Sequence, residues 1–150
     1  MAVGDYRISK LRMYLYGVIN SIANIRNYQI NADFLGNIDD FSLDKIPTES
    51  IIERNIIGYT LHKDVYSFRS RKAYSQDTIN NLENIGFFEE FENKIKSNND
   101  KGILPDIDSV ESIECLNCGT LNSIDGTQAI FDIQIQVTYM DYNKENMVSL

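Results

Sequence analysis

The chain has 150 residues, of which 43% are hydrophobic and 24% charged, and 14 basic against 22 acidic residues give a formal net charge of −8. This composition predicts one folded domain over residues 1–150 rather than a disordered chain. The negative charge argues against binding nucleic acid without sequence preference. No run of about 18 apolar residues and no leader-like N-terminus is found, so we expect a protein made and kept in a cytosol, with no membrane partner.

The first predicted element is an amphipathic helix over about residues 5–25, with Asp5 as its N-cap. Its apolar residues recur at the spacing of one helical face: Ile8, Leu11, Leu15, Val18, Ile19 and Ile22. Residues 28–36 then favour a short strand or extended arm, because Ile30, Ala32 and Phe34 alternate along the sequence.

Residues 37–50 contain many turn formers, including Asp39, Asp40, Ser42 and Pro47. This composition predicts a long ordered loop, and loops of that length are commonly functional. With the residues before it, the loop forms a candidate extended arm over residues 31–50.

Two β segments, 51–57 and 59–71, flank Gly58 and predict a hairpin. A second helix follows, with Ser75 as its cap and a bend or interruption at Gly86. Its apolar residues are Ile79, Leu82, Phe88, Phe91 and Ile95.

The last third carries strict alternation from Phe131 to Tyr139, which predicts a strand with one buried face. A less regular strand over 110–121 and a turn at Asp125 and Gly126 complete a second hairpin. The predicted fold is therefore α+β, a mainly antiparallel sheet of two hairpins with two helices packed on it. Residues 143–150 are expected to form a flexible C-terminal tail.

Cys115 and Cys118 form a C-x-x-C pair, which suggests either a zinc site or a redox dithiol. Zinc needs four ligands, and the only histidine is His62. Redox pairs lie at a helix N-terminus, whereas these cysteines fall in a predicted hairpin. We interpret them as small buried residues and predict no metal site.

His62 is the single candidate for a histidine general base, and Asp64 on the same strand face could orient it. No nucleophile elbow accompanies it, so a surface histidine is the favoured interpretation. The cluster of Arg69, Arg71 and Lys72 is interpreted as a solvated rim. The 22 acidic residues single out no catalytic pair, and no calcium loop or phosphate cradle is found. We therefore predict no enzyme, no catalytic or cofactor-binding residue and no cofactor.

Several short blocks, read together, resemble a family of small structural proteins of tailed phages. The blocks run from about residue 31 to residue 142: INADFLG (30–36), FSL (41–43), IP (46–47), II with Gly58 (51–58), YSFRSR (66–71), NLENIGFFE (81–89), LP (104–105), IECL with Gly119 (113–119) and IFDIQ (130–134). The chain is similar to the minor capsid and tail-terminator proteins of phages and phage-tail-like particles of low-GC Gram-positive bacteria.

The resemblance implies a ring, commonly a hexamer, that closes the head-proximal end of a tail tube. Its partners would be copies of itself, the tail tube protein, and a neck, collar or sheath protein. The ring would assemble in the host bacterial cytoplasm and remain in the virion or phage-tail-like particle. The cysteine pair is not a signature of this family.

We expect residues 31–46 and 143–150 to reach neighbouring subunits. Carboxylates that line the lumen would repel DNA and let it slide through without sequence-specific binding. A head-completion or connector protein is the related alternative, and a small enzyme that uses His62 is the alternative from another class.

Overall fold

A computed structural model of the chain describes residues 2–22, 28–33, 40–47, 51–54, 58–73, 78–117, 120–125 and 128–142. It shows an α+β fold in which two helices pack on a mixed, mainly antiparallel sheet. The elements are a 3-10 turn at Val3–Asp5, helices α1 (Arg7–Ile22) and α2 (Thr78–Asp100), and strands β1 (Ile30–Ala32), β2 (Phe41–Ile46), β3 (Ile51–Arg54), β4 (Thr60–Ala73), β5 (Val110–Cys115), β6 (Thr120–Asp125) and β7 (Gln128–Asp141).

The centre of the sheet is the antiparallel pair of β4 and β7. These two strands are paired along their whole length, from Thr60 opposite Asp141 to Ala73 opposite Gln128. On its other side β4 pairs with β2 and β3, while β7 pairs with β5 and β6. The sheet order is β1-β2-β4-β7-β5, and of the described pairs only β1 with β2 is parallel.

Alternation along β7 gives the sheet one apolar face, as the sequence predicts. On this face β7 buries Ala129, Phe131, Ile133, Ile135 and Val137, and Tyr66 and Phe68 lie beside them on β4. Helix α1 covers this face with Leu11, Leu15, Val18 and Ile19, and α2 covers it with Phe91 and Ile95. Each such side chain contributes about 1.5–3 kcal/mol by leaving water, so both helices are held on the same side of the sheet.

The prediction of a loop over residues 37–50 is wrong for residues 41–46, which form β2 inside the sheet. Phe41 and Leu43 are buried on the apolar face, which the turn-forming residues around them obscured. Ser42 and Asp44 point to the opposite face, where a strand tolerates polar side chains. Residues 34–39 and 48–50 of the proposed arm lie outside the described residues.

Other predicted boundaries also need correction. Asp5 does not cap α1, since its carboxylate accepts a hydrogen bond from the Ala2 N–H and the helix begins two residues later. Helix α2 continues without interruption through Gly86. The single strand predicted over 110–121 is two strands, β5 and β6, which pair with different parts of β7. Ser75, Gly126 and the tail 143–150 lie outside the described residues.

Of the helices that the structure describes, neither has a stretch that is long and apolar enough to cross a bilayer.

Candidate functional site

A charged cleft of about 730 Å³ opens where α1 begins, beside the C-terminal end of β7. It brings together residues that are distant in the sequence. The charged side chains that line it are Asp5, Arg7, Lys10, Asp106, Asp108 and Asp141. Lys10 and the exposed Asp106 form a 3.4 Å ion pair across the opening.

Arg7, which lines this cleft, pairs with the buried carboxylate of Asp64, whose side chain is 3% exposed. Its Oδ2 accepts a 2.8 Å hydrogen bond from Arg7 Nε, and its Oδ1 lies 3.5 Å from Lys45 Nζ. The Tyr66 hydroxyl donates to Oδ2 over 3.3 Å. A buried carboxylate is costly without such partners, so this cluster fastens the first turn of α1 to β4.

Burial and the charge on Asp64 together shift the pKa values of neighbouring groups. Burial alone lowers the pKa of Arg7, but the hydrogen bond and charge of Asp64 outweigh it, and the net pKa is above its usual value. Burial, reinforced by the Asp64 charge, raises the pKa of Tyr66 strongly and that of Tyr139 as well. The Arg7 guanidinium lies over the Tyr139 ring, 4.6 Å from its centroid.

His62 is more buried than a surface histidine, with 13% of its side chain exposed. Its ring stacks on Tyr139 at 5.3 Å between centroids. Nε2 lies 2.7 Å from Thr60 Oγ1 and 3.8 Å from Asp141 Oδ2. Asp64, which the sequence suggested as the partner of His62, pairs with Arg7 and Lys45. In a nucleophilic triad the hydroxyl and the carboxylate contact opposite ring nitrogens, so this arrangement differs from a triad.

The cluster of Arg69, Arg71 and Lys72 does not form a solvated rim, because alternation along β4 separates its members. Lys72 is 5% exposed on the apolar face, and its Nζ lies 5.2 and 4.8 Å from the ring centroids of Phe41 and Phe87. Arg69 points to the other face, where Nη2 contacts Asp44 Oδ2 at 2.6 Å. No continuous basic surface results from these three side chains.

Cys115 is half-buried at the end of β5 and packs against the edge of the core. Cys118 lies outside the described residues. Within the ranges that the structure describes, no three His, Cys, Asp or Glu side chains gather as metal ligands would.

The side of the sheet opposite the helices is polar, and we call it the polar sheet face. Polar residues at alternate positions of four strands make up most of it: Ser42, Asp44, Lys63, Ser67, Arg69, Arg71, Ser112, Glu114, Asp132, Gln134, Gln136 and Thr138. The apolar residues on the same side are Ile46, Leu61, Val65, Ile130 and Met140. Ser42, Val65 and Thr138 are buried. Hydrogen bonds between strands hold several of the polar residues in place. Ser67 Oγ donates to Asp132 Oδ1 over 2.7 Å, and Gln136 Nε2 donates to Glu114 Oε1 over 2.9 Å.

Helical side chains occupy outward backbone groups at both edges of the β1-β2-β4-β7-β5 sheet. At β1, Arg12 Nε donates to the Ile30 carbonyl over 2.6 Å, and the Ile30 N–H donates to the Tyr16 hydroxyl over 2.9 Å. At β5, the Ile113 N–H donates to Asn99 Oδ1 over 3.0 Å. Because these groups are used internally, they are not free to recruit another strand.

No protein-family model matches the sequence, and no curated protein matches it significantly.

Proposed function

We propose that this chain is a structural protein of a phage or phage-tail-like particle, acting as a tail terminator. Copies form a ring, taken as a hexamer, that caps the head-proximal end of the tail tube and joins it to the neck, collar or sheath. The observation that carries the proposal is the polar sheet face, whose side chains are held in place by hydrogen bonds before any partner binds. Such preorganisation reduces the entropy cost of forming a protein interface.

The occupied backbone groups of two outer strands support the same proposal. A protein that assembles by adding strands needs free backbone groups at an edge, whereas helices α1 and α2 bind the outward groups of Ile30 on β1 and the outward N–H of Ile113 on β5. Assembly through a face is the alternative. Head-to-tail contacts through a face form a ring when the successive rotations between neighbours bring the last subunit back to the first.

The net charge of −8 supports the remaining parts of the proposal. An acidic ring repels the phosphates of DNA that passes through its lumen, so the DNA is not retained. The ring would form in the host bacterial cytoplasm and then stay in the particle, with the tube protein on one side and the neck or sheath protein on the other.

The experiment is to measure the mass of the purified chain by light scattering and to image it with isolated tail tubes by electron microscopy. We expect rings that sit on one end of each tube. A chain that stays monomeric at high concentration and ignores tube ends would contradict the proposal. Binding to tail-free heads instead of tubes would indicate the connector function.

A further inference from the structure

We draw no further inference here: the strongest candidate, the apolar groove that Val3, Ile8 and Met13 at the start of helix α1 form with strand β1, carries nothing because nothing in the structure shows what covers it.

Discussion

A single buried carboxylate, Asp64, organises the end of the molecule where α1 meets the sheet. Arg7 and Lys45 each neutralise one of its oxygens, at 2.8 and 3.5 Å. The two cations remain 44% and 52% exposed, so water moderates the interaction. The carboxylate itself is 3% exposed, so its charge depends on these two partners.

We predict that Asp64→Asn lowers the free energy of unfolding by about 2 kcal/mol, because the amide cannot balance the charge on Arg7. For a chain of this size that corresponds to a melting temperature about 5 °C lower. Urea unfolding monitored by circular dichroism measures the change. The control is Asp106→Asn, which removes a 94% exposed carboxylate and should leave stability unaltered. Equal effects of the two substitutions would show that the buried cluster has no special role.

Tyr66 makes stability depend on alkaline pH. Burial and the Asp64 charge raise its pKa in the folded protein, so its stabilising contribution is complete below the usual tyrosine value of about 10. Above that pH the unfolded chain releases the proton while the folded protein keeps it. The free energy of unfolding then falls, by up to about 1.4 kcal/mol per pH unit from this residue.

Tyr66→Phe should therefore flatten the decline of stability between pH 10 and pH 11. Urea titrations across this range measure the slope, and the same substitution at exposed Tyr6 controls for the loss of a tyrosine. An unchanged slope in Tyr66→Phe would mean that the hydroxyl ionises equally in both states.

At the scale of elements, the two helices cover the apolar face and also bind backbone groups of the outer strands β1 and β5. The Arg12 guanidinium donates to the outward carbonyl of Ile30, and the Tyr16 hydroxyl accepts a hydrogen bond from its N–H. An exposed strand edge is a template for pairing with other chains. These two side chains of α1 therefore occupy the polar groups that Ile30 would otherwise offer to another strand.

We predict that the double variant Arg12→Met, Tyr16→Phe forms larger aggregates through strand addition at β1. Both replacements keep the apolar part of the side chain and remove its donor or acceptor. Light scattering and thioflavin fluorescence during incubation at 37 °C report the change. Lys10→Met removes one positive charge from the same helix without touching Ile30 and should remain soluble. If the double variant stays as soluble as Lys10→Met, the hydrogen bonds of Arg12 and Tyr16 to Ile30 are not what prevents strand addition at β1.

The predictable elements were those whose pattern repeats over many residues. The alternation in β7 and the stripe of Leu11, Leu15 and Val18 in α1 each bury a regular face, and both are confirmed. Strand β2 was missed because it is six residues long and lies among turn formers. The pairing of Arg7 with Asp64 joins residues 57 positions apart, so no local pattern predicts it. The one hint in the sequence is that the charged Asp64 falls on the same face of its strand as Tyr66 and Phe68.

At the scale of the whole molecule, one side of the sheet is covered by helices and the other is mainly polar. Helical side chains bind the outward backbone groups of Ile30 and Ile113, which removes those groups from strand addition. A ring formed through the polar sheet face is compatible with this arrangement. The tail-terminator proposal adds where that ring sits, at the head-proximal end of a tube.

The most direct measurement is a cryo-electron microscopy structure of the purified assembly at side-chain resolution. We predict a closed ring in which the polar sheet face of each subunit lies against the neighbouring copy. A monomer, or a ring in which the polar sheet face remains open to solvent, would contradict it.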